Sequence, residues 1–356
     1  MRKSYLVLLT AFLWALPAAA AFADDTCVSA GTPARKLTVE DMHIPSDTKG
    51  IELYVRNKHP ADMQRFGPEH VLLFVHGATY PAETAFDLPL GGFSWMDYIA
   101  CRGWDVYLVD IRGYGRSTRP PEMSRPPEES EPIVNTAVAL RDVDSAVHFI
   151  LARRHLSRLN LMGWSWGTTI MGSYAAANTD KVQRLVLYAP LWLRKAGPQS
   201  GGEGPLGAYR TVTMEQARKR WLNGVPPEKQ ADLIPPGWFE AWAQATWASD
   251  PESGKWDPPV LRAPNGVLQD VREYWSAGRA YYDPHAITAP TLIVHGDWDQ
   301  DTPGYMALAL FGLLENAAWK RLVVIGEATH TVIMEKNRMQ LLREVQLFLD
   351  EPPLRP

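Results

Sequence analysis

The chain has 356 residues, of which 46% are hydrophobic, and its formal net charge is −4 at pH 7. This length suffices for one large α/β domain with an insertion, and it is ample to bury a core. The slightly acidic balance, without a basic run, gives no support for binding to nucleic acid or to an anionic membrane surface.

The first 23 residues have the pattern of a secretory signal peptide. A basic start at residues 1–3 precedes an apolar run over residues 5–17, and residues 21–23 form a small-x-small cleavage site. The apolar run is short for a membrane-spanning helix, and no cysteine directly follows the cleavage site to carry a lipid. We therefore expect cleavage after Ala23, a secreted or periplasmic protein, and no membrane anchor after cleavage.

Two cysteines, Cys27 and Cys101, follow the predicted cleavage site, and neither has the spacing of a zinc ligand. An exported protein meets an oxidising compartment, in which disulfides form and persist. We expect a Cys27–Cys101 disulfide, which would pin an otherwise loose N-terminus of the mature chain. Two unrelated buried cysteines are the alternative.

Strand patterns open the mature chain. Residues 36–44 and 50–56 alternate as two antiparallel edge strands would. Residues 70–79 form an apolar run that stops at His-Gly, as expected of a strand buried on both faces. A helix is predicted over residues 94–102, and the next buried strand over residues 104–110.

A helical pattern over residues 135–154 leads into the motif Gly163-x-Ser165-x-Gly167. A strand-like approach precedes this motif and a helix-like run of small residues follows it. This arrangement predicts a nucleophile elbow, in which a tight strand-to-helix turn exposes the serine and leaves no room for a Cβ beside it. The backbone N–H of Trp166 then lies at a helix N-terminus, where it can stabilise an oxyanion.

A long insertion separates two of the remaining strand candidates. Residues 182–189 and 291–296 are buried strand patterns, and residues 191–289 between them are rich in proline, glycine and tryptophan. We interpret this segment as a helical cap, with short helices predicted over residues 213–223, 236–248 and 265–277.

The chain closes with a strand pattern over residues 321–325 and an amphipathic helix over residues 338–349. Strands that alternate with helices predict an α/β fold with a doubly wound, mostly parallel sheet. Its core would comprise residues 24–190 and 290–356, with the helical cap inserted between them.

Five motifs follow predicted strands in a fixed order. They are His76-Gly77, Asp110-x-Arg112-Gly113-x-Gly115-x-Ser117, Gly163-x-Ser165-x-Gly167, Gly296-x-x-Asp299-x-x-x-Pro303 and Gly326-x-x-x-His330. Together they resemble the α/β-hydrolase fold family, and in particular its capped branch of esterases, lactonases and proline iminopeptidases. The resemblance covers roughly residues 50–350 of this chain.

The chemistry of a serine nucleophile asks for the same residues. A serine hydroxyl needs an adjacent base, and His330 is the only histidine in a loop between the last predicted strand and the final helix. The base needs a carboxylate to orient it. Asp297, Asp299 and Asp301 crowd one loop, and the family spacing selects Asp299. The other two aspartates are expected to cap the following helix or to face solvent.

The resemblance also implies the remaining parts of the site. The oxyanion hole would pair the backbone N–H of Ala78 with that of Trp166, and His76 would brace the loop that contains Ala78. Asp110 and Arg112 match a structural motif of the family. Because the sequence shows no Gly-rich phosphate loop before a helix and no metal-ligand cluster, we expect no cofactor and no metal.

The cap contains seven of the fourteen tryptophans of the chain. Most of them would form the core of a thin helical layer, but some should line the substrate pocket. Trp164, Trp192 and Glu203 are the candidate pocket residues. Such an aromatic lining favours an apolar or aromatic substrate.

The sequence thus predicts an exported serine hydrolase that cleaves a carboxylic ester of a small apolar or aromatic substrate through an acyl-enzyme. A proline-iminopeptidase-like aminopeptidase is one alternative, with Glu203 in a Gly-rich loop as the candidate to bind an amine. A lactonase or a hydrolase of carbon–carbon bonds is another. A non-catalytic binding protein on the same fold is the most distant alternative, and the oligomeric state is left open.

Overall fold

The computed structural model describes residues 25–195 and 204–352. The predicted signal peptide, residues 1–23, and Glu203 lie outside the described residues. No helix among the described residues is long and apolar enough to cross a membrane.

Eight strands form one twisted sheet in the order β1-β2-β4-β3-β5-β6-β9-β10. These strands are β1 (Leu37–Pro45), β2 (Glu52–Pro60), β3 (Val71–Val75), β4 (Asp105–Val109), β5 (Leu159–Trp164), β6 (Val182–Tyr188), β9 (Thr291–Gly296) and β10 (Lys320–Ile325). Strand β2 pairs antiparallel with both β1 and β4, and every other pair is parallel. The predicted doubly wound, mostly parallel sheet is confirmed.

Helices cover both faces of the sheet, and others lie in the segment between β6 and β9. They are α1 (Asp25–Ser29), α2 (Ala82–Phe86), α3 (Trp95–Ala100), α4 (Thr136–Arg154), α5 (Trp166–Ala177), α6 (Met214–Trp221), α7 (Gln230–Leu233), α8 (Trp238–Ala248), α9 (Gly266–Asp270), α10 (Gly304–Leu313) and α11 (Arg338–Asp350). Strand β3 shows the two-residue period that separates the faces. Leu72 and Phe74 pack in the core with α3 and α11, whereas Leu73 and Val75 pack in the core with α4, α5 and α10.

The segment between β6 and β9 contains helices α6 to α9 and two strands that the sequence did not predict. The strands are β7 (Tyr209–Thr213) and β8 (Val260–Pro264), which form a separate antiparallel pair. Each is only five residues long and they are far apart in the chain, so neither gives a hairpin signal. The division of the chain at residues 190 and 290 stays a prediction.

Aromatic side chains of this segment pack onto the core. The rings of Trp221 and Trp242 meet edge to face with centroids 5.1 Å apart, and Trp242 meets Tyr80 in the same way at 4.7 Å. These side chains belong to the same apolar cluster as Phe74 in the centre of the sheet. These side chains are therefore continuous with the half of the core that contains Phe74, and Val267 and Trp275 of the same segment pack in the other half.

The predicted disulfide between Cys27 and Cys101 is present in the structure, with the two Cα atoms 5.4 Å apart. Cys27 lies in α1 and is fully buried, and Cys101 directly follows α3. The guanidinium of Arg102 also donates to the carbonyl oxygen of Ala30 at 3.0 Å. The first described turn is thus fixed to the core by one covalent bond and one charged hydrogen bond.

Replacing Cys27 and Cys101 together with serine should lower the free energy of unfolding. The bridge spans 74 residues of sequence, and a loop of that length is worth about 4 kcal/mol on the chain-entropy model. Denaturant titration of the oxidised protein and of the double variant measures the difference. Thiol titration of the protein, produced under oxidising conditions and then denatured, should find no free thiol, and two titratable thiols would refute the bridge.

Candidate active site

Ser165 occupies the turn between strand β5 and helix α5. Its backbone has φ 58° and ψ −121°, a conformation that L-residues rarely adopt and that costs roughly 1–3 kcal/mol. A Cβ on Gly163 would collide with the backbone of Gly167, and a Cβ on Gly167 would lie 2.6 Å from the carbonyl oxygen of Val75. The two flanking glycines therefore let strand, turn and helix approach each other closely. This packing places the serine at the carboxyl ends of the parallel strands, where its side chain reaches the cleft.

His330 and Asp299 form a charged hydrogen bond beside this turn. The Nδ1 atom of His330 lies 2.8 Å from Oδ2 of Asp299. Three further donors fix the carboxylate, namely the N–H groups of Asp301 and Thr302 at 2.9 Å each and the Thr302 hydroxyl at 2.8 Å. With Nδ1–H directed at Asp299, the unprotonated Nε2 is the nitrogen left to accept a proton.

The electrostatics of His330 favour its charged form. Burial is the largest single influence and lowers the pKa of His330, but the charge and hydrogen bond of Asp299, together with the charge of Asp301, raise it, and the net direction is upward. His330 and Ser165 line the same cleft. A histidine with this environment is suited to take a proton from a nearby hydroxyl and to hold it.

Trp164, one of the predicted pocket residues, lines the cleft and also holds the His330 loop. Its indole N–H donates to the carbonyl oxygen of His330 at 3.0 Å, and the Tyr188 hydroxyl donates to the same oxygen at 2.9 Å. The rings of Trp164 and Tyr188 stack with an interplanar angle of 10°. Two side chains at the ends of adjacent strands thus fix the position of the candidate base.

Glu335 is a site residue that the sequence did not reveal. It is fully buried, and its carboxylate accepts hydrogen bonds from the N–H and hydroxyl of Thr329 and from the indole N–H of Trp221 at 3.0 Å. Burial raises the pKa of Glu335 to about 7. The residue ties helix α6 to the loop that carries His330, and nothing in the motif Met-Glu-Lys-Asn indicates burial.

The predicted oxyanion loop follows strand β3 and is braced by His76. Its Nε2 accepts from the N–H of Ile111 at 3.1 Å, so its Nδ1 carries the proton and donates to the Gly77 carbonyl oxygen at 2.7 Å. Burial lowers the pKa of His76 to about 4 and keeps the ring neutral. Because the peptide is planar and trans, fixing the Gly77 carbonyl on one side directs the Ala78 N–H to the other.

Two further donors fix the next carbonyl of this loop. The Tyr114 hydroxyl and the Arg210 guanidinium donate to the carbonyl oxygen of Ala78 at 2.9 and 2.7 Å. The second predicted oxyanion donor, the N–H of Trp166, belongs to the first residue of α5, so it has no acceptor within its helix. Ala78 lines the cleft with Ser165, and Trp166 lines its adjoining part.

The cleft has two halves that meet at Ser165. The aromatic half is lined by Tyr80, Trp164, Trp221 and Trp242. The arginine half is lined by Arg194, Arg210 and Arg220. Ala78 and Asp301 border both halves, as does the Arg220 side chain.

Trp192, another predicted pocket residue, lies outside the cleft. Trp192 is buried and packs edge to face on Tyr282, with ring centroids 5.3 Å apart, in the part of the core that contains α5. It is not among the described residues that line either half of the cleft. Glu203 lies outside the described residues, so its predicted role stays a prediction.

The aspartates beside Asp299 differ from the expectation in one case. Asp297 is exposed, as predicted. Asp301 was expected to cap a helix or face solvent, but it lines the cleft and forms an ion pair with Arg220, with Nε and Oδ2 2.7 Å apart. The arginine comes from α6, a helix of the insertion, so only the tertiary structure could reveal this pair.

The three arginines of the cleft were also missed. In the sequence they lie among the prolines, glycines and charged residues of the insertion, a composition typical of solvated surface. Among the described residues no group of three or more His, Cys, Asp or Glu side chains could hold a metal ion.

Comparisons with known proteins identify what this arrangement resembles. A family model described as alpha/beta hydrolase fold matches residues 70–337. A protein of Synechocystis sp. provisionally named a non-heme chloroperoxidase is 24% identical over 243 residues, which cover 64% of this chain and 76% of that protein.

Solved structures show the same fold at low sequence identity. A thermophilic esterase from Thermogutta terrifontis, determined with malate bound, is 16% identical, with a TM-score of 0.56 over 87% of this chain and 98% of that chain. The 2-hydroxy-6-oxo-6-phenylhexa-2,4-dienoate hydrolase of Rhodococcus sp. strain RHA1 is 14% identical, with a TM-score of 0.59 over 89% of this chain and 100% of that chain. At these identities the likeness is one of fold.

Replacing Asp299 with asparagine should lower turnover by about a thousandfold or more, because an amide at this position favours the wrong tautomer of His330. Asp297→Asn is the matched control, since it makes the same change in the same loop at an exposed carboxylate. Steady-state kinetics of both folded variants checks this. The assignment would be wrong if Asp297→Asn were the more damaging change.

The pH profile should report the state of His330. Only its neutral form can accept a proton, so kcat/KM should fall as the pH decreases through a pKa above the ordinary histidine value of about 6.5. Because the pKa of Glu335 lies in the same range, Glu335→Gln serves as the control and should retain this acidic limb. A limb that disappears in Glu335→Gln, or one centred below the ordinary histidine value, would contradict the assignment.

Proposed function

Since the chain belongs to the alpha/beta hydrolase fold family, we propose that it is an exported serine hydrolase that cleaves a carboxylic ester through an acyl-enzyme. The observation that carries this proposal is the juxtaposition of three groups. A serine in a glycine-flanked elbow faces the same cleft as His330, and His330 is oriented by a buried aspartate. Histidine activation is what a serine hydroxyl requires to attack a carbonyl carbon at neutral pH.

The first half-reaction transfers the acyl group to the enzyme. The Ser165 oxygen bonds to the ester carbonyl carbon while Nε2 of His330 takes the hydroxyl proton, and the carbonyl oxygen becomes an oxyanion. The oxyanion is stabilised by the N–H groups of Ala78 and Trp166. When the carbon–oxygen bond to the alcohol breaks, His330 returns the proton to the departing alkoxide, and an acyl-Ser165 ester remains.

The second half-reaction uses water in place of serine. His330 takes a proton from the water as its oxygen attacks the acyl carbon, and the same two N–H groups bind the second oxyanion. Collapse of this intermediate breaks the bond to Ser165, whose oxygen recovers a proton from His330. The carboxylic acid leaves and the enzyme regains its starting state. Asp299 stabilises the imidazolium in both half-reactions.

The aromatic half of the cleft supports an apolar or aromatic portion on the substrate. Tyr80, Trp221 and Trp242 line this half close to the nucleophile with rings that are almost completely buried, and such an apolar lining favours carbon over charged groups. A lactone would use the same steps, with the alcohol retained on the acyl chain. An aminopeptidase substrate is less suited, because its ammonium group would meet Arg210 and Arg220 rather than an unpaired carboxylate.

The proposed export is supported by the pattern of residues 1–23 and by the disulfide, a bond that persists in oxidising compartments. The proposed partner is a small-molecule substrate, and the chemistry described above requires neither a cofactor nor a metal. Nucleic acid is not proposed as a ligand, given the absence of a basic run in the sequence.

Ser165→Ala tests the nucleophile. The wild-type protein should be labelled by a fluorophosphonate probe, whereas Ser165→Ala should remain unlabelled and lose several orders of magnitude in turnover, since the attacking oxygen is gone. Ser173→Ala is the matched control, a buried serine two turns further along α5. A panel of an ester, a lactone and an aminoacyl arylamide then identifies the substrate class. If folded Ser165→Ala were labelled as strongly as the wild-type protein, the proposed mechanism would be contradicted.

A further inference from the structure

The arginine half of the cleft carries more positive charge than the described residues neutralise. Arg194, Arg210 and Arg220 line it together with a single carboxylate, Asp301. The nearby Asp299 is already bound to His330 and Thr302. Arginine remains charged in proteins, so the guanidinium groups of Arg210 and Arg220 here face one carboxylate that is not engaged by the candidate base.

Arg210 has no carboxylate partner among the described residues. Its guanidinium donates to neutral acceptors, namely the carbonyl oxygens of Ala78 and Pro264 at 2.7 Å each and the Thr79 hydroxyl at 3.0 Å. It forms no ion pair with a carboxylate of the described residues, and the other charge that acts on it is that of Arg220. A half-buried cation in this position raises the potential of the cleft and favours an anion there.

Arg220 is the arginine that a ligand can reach. Its Nε donates to Asp301 at 2.7 Å and its Nη1 to the Thr79 hydroxyl at 3.3 Å. These bonds use two of the five donors of a guanidinium, and the side chain lines the cleft and is 42% exposed to solvent. The ion pair with Asp301 fixes the guanidinium plane, as bidentate recognition of an oxyanion requires.

We propose that the natural ester also carries a carboxylate, which binds in the arginine half against Arg220 while an apolar part lies toward the aromatic half. This inference rests on the proposed function and deepens it, since Ser165 lies where the two halves meet. The substrate class is then a monoester of a dicarboxylic acid, or a hydroxy acid whose hydroxyl group is esterified and whose carboxylate is free. The neutral apolar substrate that the tryptophans led us to expect would match only the aromatic half of the cleft.

The test compares esters that differ only by a terminal carboxylate. Monobutyl glutarate is compared with butyl pentanoate, which replaces an acyl-side carboxylate by a methyl group. The 4-(butanoyloxy)butanoate anion is compared with butyl butanoate, which does the same on the alcohol side. The measured quantity is the anion preference, defined as kcat/KM for the charged ester divided by kcat/KM for its neutral partner.

Wild type should show an anion preference well above one in at least one pair, and added salt should reduce it. Arg220→Gln should lower that preference by about ten- to a hundredfold, the usual worth of a charge-assisted hydrogen bond. Arg220→Lys should retain part of the preference, because it keeps the charge but loses the planar fork. Arg218→Gln is the matched control, since Arg218 lies on the same helix and pairs with Glu240 in an exposed position.

The outcomes separate this inference from the proposed function. Efficient turnover that depends on Ser165, with an anion preference of one or less in both pairs, would overturn the carboxylate site and leave the hydrolase intact. The carboxylate site would also be overturned if Arg220→Gln and Arg218→Gln had the same anion preference. If the wild-type protein were not labelled by the fluorophosphonate probe and hydrolysed no ester, the proposed function itself would be contradicted.

Discussion

The site depends on one strained turn. Ser165 holds a positive φ between a buried strand and a buried helix, and its backbone is fixed by a bond from its N–H to the Tyr188 carbonyl oxygen at 2.9 Å. Gly77 passes so close that a Cβ there would lie 3.0 Å from the Ser165 Cβ. Strand β3, strand β6 and helix α5 are therefore packed around the serine as tightly as sterics allow, and the strain is offset by this packing.

The insertion contributes directly to the parts of the site that the core cannot fix alone. Trp221 donates to buried Glu335, which holds the loop before His330. Arg210 holds the oxyanion loop through the Ala78 carbonyl oxygen, and Arg220 pairs with Asp301 beside the candidate acid. These three contacts are polar and directional, so each fixes an orientation as well as a distance. The insertion therefore positions the loop that carries His330 and the predicted oxyanion loop. It also forms one wall of the cleft.

Sequence reasoning was most successful where the structural requirement is local. The strands β3, β5 and β9 are largely apolar runs that end at small or candidate catalytic residues, and the elbow requires glycines at fixed spacing, so these features can be read without a fold. Trp192, Arg220 and Glu335 show the limit. A buried tryptophan looks the same whether it packs on Tyr282 or lines a cleft, and the burial of Glu335 depends on a partner more than a hundred residues away. Strands β7 and β8 were missed for the same reason, because each is stabilised by the other across about fifty residues.

The ion pair in the cleft also bears on the base. Asp301 raises the pKa of His330 and Arg220 lowers it, so the two neighbours partly cancel. A change at either residue therefore disturbs the proton affinity of His330 as well as the charge that a substrate meets. An anion bound at Arg220 would act in the same direction as Asp301 and would stabilise the imidazolium that forms when Ser165 gives up its proton. For this reason the neutral ester is the necessary reference for any arginine variant, since it experiences the change in His330 without the change in anion binding.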